Sequence, residues 1–167
     1  NVFNGGSGIE SDTVSYSNIT DSNIKISIDL KNNTATSSIS GTDTLISIEN
    51  AIGGAGNDTI KVSTDTEVNI LDGGSGIDTV SYEYYTTGVT RNLSNTTTAQ
   101  EDDILKDFEN ILGGSGNDSF SGNSLNNIFN GSAGIDTVDY SSVALKIVAN
   151  MNTPIKTVVR ETDVDTL

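Results

Sequence analysis

The chain has 167 residues, with 8 Lys and Arg against 23 Asp and Glu, a formal charge of −15, and no cysteine, histidine or tryptophan. That balance argues against nucleic acid and anionic membrane surfaces and favours cations or cationic partners; the missing residues exclude disulfides, Cys/His zinc sites and Ser-His-Asp or Cys-His nucleophiles. Hydrophobic residues make up 34 % and aromatic residues 5 %, so the chain lies near the border of disorder unless something neutralises it, and no apolar run approaches the ~18 residues of a membrane span.

The chain opens on "NVFNGG" (1–6) and runs into "GGSGIESDTV" (5–14), a glycine turn with Glu10 where later copies carry aspartate and Asp12 two residues further on. "NIKISIDL" (23–30) alternates Ile24, Ile26, Ile28 and Leu30 with Lys25, Ser27 and Asp29, which predicts a half-buried strand. "GTD" (41–43) follows, then "DTLISIENAI" (43–52), then the turn "GGAGND" (53–58) with its apolar anchor Ile60. "VSTDTE" (62–67) is an eroded turn, and "NILDGGSGIDTVSY" (69–82) brings the next full one, anchored by Val80.

"DILKDFENIL" (103–112) could place Ile104, Leu105, Phe108 and Leu112 on a short helix. Its repeat partner "DTLISIENAI" is rich in β-branched residues, so the strand reading holds for both. "GGSGNDSFS" (113–121), the eroded "GNSLNN" (122–127) and "NIFNGSAGIDTVDY" (127–140) complete the series, with Phe120 and Val138 as anchors. In "LKIVANM" (145–151), Leu145, Ile147, Ala149 and Met151 share one face of a further strand.

Self-comparison organises these pieces. "DTVSY" occurs at 12–16 and 78–82 and "DTVDY" at 136–140; "ISIENAIGGAGNDTI" matches "KDFENILGGSGNDSF"; "NVFNGG", "NILDGG" and "NIFNGS" match one another. The chain is expected to be a single array of units at roughly 12–77, 78–135 and a truncated 136–167, cut from a longer protein, because neither end reads as a capping repeat. The fold class expected is all-β: a parallel β-roll or β-solenoid with glycine–aspartate turns and longer inserted strands.

The turns carry the chemistry. Glycines let the backbone curl so that carbonyl oxygens point inward, and a carboxylate closes the ring; such hard oxygen ligands suit Ca²⁺ better than a transition metal. Asp58 and Asp78 are 20 residues apart, and Asp118 and Asp136 are 18 apart, each about one coil. Stacked coils would bring paired aspartates to roughly ~5 Å. At that range two carboxylates repel by about 3 kcal/mol at an effective dielectric near ~20, and a divalent cation between them reverses the sign.

The string G-G-x-G-x-D-x-U-x resembles the nonapeptide of RTX (repeats-in-toxin, haemolysin-type) calcium-binding proteins. The resemblance implies Ca²⁺-binding turns alternating with short strands in a parallel β-roll, and secretion through a type I system followed by folding outside the cell. It assigns calcium ligation to Asp58, Asp78, Asp118 and Asp136. The turn backbone beside them would add Gly53, Gly54 and Gly56; Gly73, Gly74 and Gly76; Gly113, Gly114 and Gly116; and Gly131 and Gly134. Asp12 is the candidate of the first, interrupted copy, and Asp43 of "GTD", with partners at Asp103 and Asp165, belongs to a half-motif. The long inserts at 15–52 and 81–112 depart from tandem nonapeptides, so fewer ions are expected than in an unbroken roll.

Glu49 and Glu109 read as solvated or backbone-bonding carboxylates, and Asn50 and Asn110 as turn or ladder residues. Tyr82, Tyr84 and Tyr85 suit packing at a strand edge at least as well as stacking on a sugar. The leading expectation is a calcium-binding structural region of a secreted bacterial surface protein, an adhesin stalk, surface layer or filament, without enzymatic activity. Its partners would be calcium ions, other copies of itself or a cell-surface polymer. An accessory domain of a secreted toxin or hydrolase, and a carbohydrate-binding solenoid, are the alternatives. Catalysis is disfavoured because the acids are committed to turns and the bases Lys61, Arg91, Lys106 and Arg160 are scattered.

Overall fold

A computed structural model describes residues 1–8, 10–39, 41–65, 67–94 and 103–141, together with the backbone of 147–150, 157–160 and 163–166. These residues form strands and turns with no helix among them. Counted instead from the matching strings "NVFNGG" (1–6), "NILDGG" (69–74) and "NIFNGS" (127–132), which begin each unit on an equivalent strand, the first unit contributes β1 (Val2–Asn4), β2 (Thr13–Ser15), β3 (Ile26–Asp29), β4 (Thr34–Ser37), β5 (Gly41–Ile46), β6 (Asn50–Ile52) and β7 (Thr59–Lys61). The second contributes β8 (Ile70–Asp72), β9 (Thr79–Ser81), β10 (Thr90–Asn92), β11 (Ile104–Lys106), β12 (Asn110–Leu112) and β13 (Ser119–Ser121). The third contributes β14 (Ile128–Asn130), β15 (Thr137–Val138), β16 (Ile147–Asn150), β17 (Thr157–Arg160) and β18 (Asp163–Thr166).

Three sheets result. The largest runs β1-β5-β4-β3-β7-β9-β12-β14-β18-β17-β16, the second β11-β8-β6-β2 and the third β10-β13-β15. Pairing is parallel except in two meanders, β3-β4-β5 and β16-β17-β18, which occupy matching places in the first and third units. The strand expectation for 103–112 and its partner therefore holds, as β11–β12 and β5–β6. Of the strand expected over 145–151, Ile147–Asn150 is present, while Leu145 and Met151 lie outside the described residues, as does Leu167.

The same partners recur from unit to unit, but the sheet they sit in changes. β6 pairs β8 in the four-stranded sheet, whereas their repeat mates β12 and β14 pair in the eleven-stranded one. Likewise β7 pairs β9 in the eleven-stranded sheet and β13 pairs β15 in the three-stranded one. Each unit thus steps sideways by one sheet.

The period-two pattern sets what lies inside. Ile28, Ile60, Val80, Ile111 and Phe129 face one another in register across five strands, each 3 % exposed or less. Val14, Ala51, Leu71 and Leu105 form the matching ladder of the four-stranded sheet. Burying a side chain of this size contributes ~1.5–3 kcal/mol, and the cross-strand pairing fixes register because a one-residue slip would turn the whole ladder outward. That register stacks the glycine turns.

Candidate functional site

Two pairs of glycine turns are stacked, because the strands that follow them pair residue for residue: Thr59 with Thr79, and Ser119 with Thr137. Within each pair the aspartates meet. The Asp58 amide donates to Asp78 Oδ1 at 2.7 Å, and the Asp118 amide to Asp136 Oδ1 at 2.9 Å. Asp58 in turn accepts the Ile26 amide on Oδ1 (2.8 Å) and the Gly54 amide on Oδ2 (2.6 Å). Asp118 does the same with the Val89 and Gly114 amides at 2.9 and 3.1 Å. Each carboxylate therefore bonds an amide of the preceding layer, and the asparagines beside them add a rung: Asn57 Oδ1 accepts from Ile77, Asn117 Oδ1 from Ile135.

Layers this close require glycine. At Gly76 the backbone φ is +137°, and at its mate Gly134 it is +122°; a side chain at either would meet the carbonyl of Gly56 or Gly116 in the layer below.

Asp78 differs from the other carboxylates. It is fully buried, and its Oδ2 has no hydrogen-bond partner. The Gly74 amide, whose counterpart in the layer below serves Asp58, is instead held by Asp72 Oδ1 at 3.0 Å. Burial, together with the charges of Asp58, Glu109 and Asp72, pushes the Asp78 carboxyl up to about 7 against the pull of the Asp58 amide. Burial also raises Asp58 and Glu109. Most buried polar atoms find a partner, and this acidic oxygen is left without one.

The remaining expected residues divide. Asp12 occupies the place of Asp78 in the first copy: its amide donates to Glu49 Oε2 at 2.8 Å, as the Asp78 amide does to Glu109 Oε2. Glu10, aligned by the motif, is exposed; the two-residue insertion returns the chain to register at Asp12. Glu49 and Glu109 are backbone-bonding carboxylates, following corners in which Ser47 (φ 51°) and Asp107 (φ 53°) are left-handed.

Asp43 and Asp103 do not join the glycine turns. Asp43 accepts the Tyr16 hydroxyl at 2.9 Å, and Asp103 accepts the Tyr82 hydroxyl at 3.0 Å with the Arg91 guanidinium 3.6 Å away. Burial and then the carboxylate raise the pKa of Tyr16; burial raises that of Tyr82. Both hydroxyls thus remain donors. The side chain of Asp165 lies outside the described residues. This tyrosine–aspartate bond was not anticipated, though its signal was present: the Tyr of "DTVSY" recurs at 16 and 82 together with the acid. Tyr85 packs edge-on against Tyr82 and donates to the Ser63 carbonyl, while Tyr84 donates to Asp29.

Among the described residues no group of three or more Asp or Glu side chains is placed to hold a metal. The turns offer carboxylates in pairs, and any further ligands there would be backbone carbonyls. No family model matches the chain, and no curated protein matches it.

Proposed function

We propose that this chain is a calcium-stabilised β-solenoid of the RTX β-roll type, forming a structural stretch of a secreted bacterial surface protein. The observation that carries this reading is the buried Asp78, stacked on Asp58 with one oxygen unpartnered, in a chain of formal charge −15. Asp58 and Asp78, and in the second pair Asp118 and Asp136, would hold the ions with carbonyls of the glycine turns. A carboxylate oxygen that already accepts one amide keeps a second lone pair for a metal. Bound calcium would supply charge neutralisation and cross-linking between coils, not reaction chemistry. Binding energy at sites missing from the unfolded chain becomes folding energy, which suits a protein exported unfolded into calcium-rich surroundings. The short coils of 20 and 18 residues between stacked aspartates support the roll geometry.

The test is far-UV circular dichroism from a chelated start, titrating Ca²⁺ against Mg²⁺. A β-structure that is marginal in chelator and is completed cooperatively by Ca²⁺ alone, with that gain lost in Asp78→Asn with Asp118→Asn, is the expected result. A β spectrum complete in chelator and unmoved by calcium would overturn the reading and leave the glycines to turn geometry.

A further inference from the structure

The strings "NVFNGG", "NILDGG" and "NIFNGS" place an acid or its amide before a glycine once in each unit: Asn4–Gly5, Asp72–Gly73 and Asn130–Gly131. In all three the side-chain Oδ1 accepts the backbone amide two residues on, from Gly6 at 2.9 Å, Gly74 at 3.0 Å and Ser132 at 3.0 Å. The turn is thus built alike with asparagine or aspartate. No other Asn-Gly pair occurs in the chain. The glycine amides differ. Gly5 donates to the Ile46 carbonyl at 3.0 Å and Gly73 to the Lys106 carbonyl at 2.9 Å, whereas the Gly131 amide has no acceptor among the described residues.

That difference bears on reactivity, because an asparagine followed by glycine carries an electrophile and a nucleophile side by side. The nitrogen of the following residue can attack the side-chain carbonyl carbon, and glycine, with no Cβ, leaves the approach open. At Asn130 the Ser132 amide donates to the oxygen on which negative charge develops in that attack, as an oxyanion-hole donor does. Asn130 is exposed, so water reaches the product. At Asn4 the same polarising bond is present, but the attacking nitrogen is held by Ile46 and must first leave it.

We propose that Asn130–Gly131 is a self-modifying site that converts to aspartate and isoaspartate. The Gly131 nitrogen bonds to Asn130 Cγ, the bond from Cγ to the side-chain nitrogen breaks, and ammonia departs with the proton that the Gly131 nitrogen gives up. Water then opens the resulting five-membered imide at one or other carbonyl. The aspartate product reproduces the Asp72 turn. Isoaspartate adds one carbon to the main chain where the Asn130 carbonyl holds the Gly113 amide at 2.7 Å. Either product adds a negative charge to the turn that carries Asp136. No metal takes part, so the site does not rest on the calcium reading.

The experiment incubates the full chain at mildly alkaline pH, once folded as verified by circular dichroism and once in urea, and follows both asparagines by peptide mapping and mass spectrometry. In the folded chain Asn130 should gain one mass unit, partly as isoaspartate, at least fivefold faster than Asn4. In urea the two rates should converge within twofold. The Asn130→Asp variant should co-elute with the aspartate product on anion exchange. Equal rates in the folded chain, or a faster Asn4, would overturn the role given to the Gly131 amide. An Asn130 that stays intact in the folded chain while it converts in urea would overturn the site.

Discussion

The two glycine-turn pairs have nearly the same sequence and different surroundings. In the first, Asp58 and Asp78 are both buried, because the corner at Asp107–Glu109 stacks as a third layer on the Asp78 turn. In the second, Asp118 is buried and Asp136 is exposed, with no such corner over it among the described residues. The motif alone does not decide how strongly an aspartate is perturbed; the layer above it does. The pairs therefore serve as controls for each other.

The largest effect is expected where that third layer presses on a glycine. A methyl group at Gly73 would press on the Asp107 carbonyl and the Asp78 side chain, whereas at Gly131 its nearest atoms would all belong to the exposed Asp136 side chain. Overpacking against fixed backbone costs ~1–3 kcal/mol. Gly73→Ala should sit at about 3 kcal/mol and Gly131→Ala near 1 in urea unfolding, within that range. Equal costs would mean that the corner does not form the third layer.

Next comes a change of sign at Asp78. A carboxyl near 7 when folded and near ~3.9 when unfolded keeps its proton in the folded state while the unfolded chain has lost it. The folded state then binds more protons, so in chelator its stability falls as pH rises from about 4 to about 7 and is level above, with a slope of at most ~1.4 kcal/mol per pH unit from this group. Asp78→Asn should remove that slope and stabilise the metal-free protein at neutral pH by up to ~2–4 kcal/mol. The same substitution should weaken calcium-induced folding. Asp136→Asn should change metal-free stability by no more than ~0.5 kcal/mol. Identical pH profiles for wild type and Asp78→Asn in chelator would show that Asp78 is not the buried acid described.

The contrast between the pairs was only half legible in the sequence. Spacings of 20 and 18 residues placed the aspartates one over the other, and the apolar anchors Ile60, Val80 and Phe120 read correctly as core. These signals are local and repeated, so each copy reinforces the next. The third layer was not legible, since Asp107 and Glu109 reach Asp78 from about 30 residues away through pairing of β12 with β9. The sideways step between sheets was hidden for the same reason: "IENAI" and "FENIL" look alike, yet β6 and β12 enter different sheets. Asp43 and Asp103 read as half-motifs because the aspartate of "GTD" (41–43) has partners at matching places of the repeat; the tyrosine that bonds each comes from a distant "DTVSY".

These tyrosine-held acids give a third comparison. Tyr82→Phe removes a buried hydrogen bond to a carboxylate and should cost about 1–3 kcal/mol, with and without calcium alike. Asp103→Asn should leave the calcium midpoint of folding unmoved where Asp118→Asn shifts it. A calcium midpoint that follows Asp103 would place that residue among the proposed ligands beside its tyrosine bond.

The smallest effect isolates the ladder from charge. Asn57 and Asn117 make the same bond to the layer above, at 3.1 Å to Ile77 and 2.9 Å to Ile135, at exposed turn tips and with no charge of their own. Whatever separates the two pairs electrostatically should not reach these rungs. Asn57→Ala and Asn117→Ala should each cost about 0.5–1 kcal/mol, the net value of one neutral hydrogen bond, equally in chelator and in calcium. A larger loss at Asn57 in chelator alone would mean that its rung holds the layers against the repulsion of Asp58 and Asp78. Equal losses under both conditions would show that in both pairs the layers are held by amide bonds independently of the carboxylates, leaving calcium to act on the carboxylates alone.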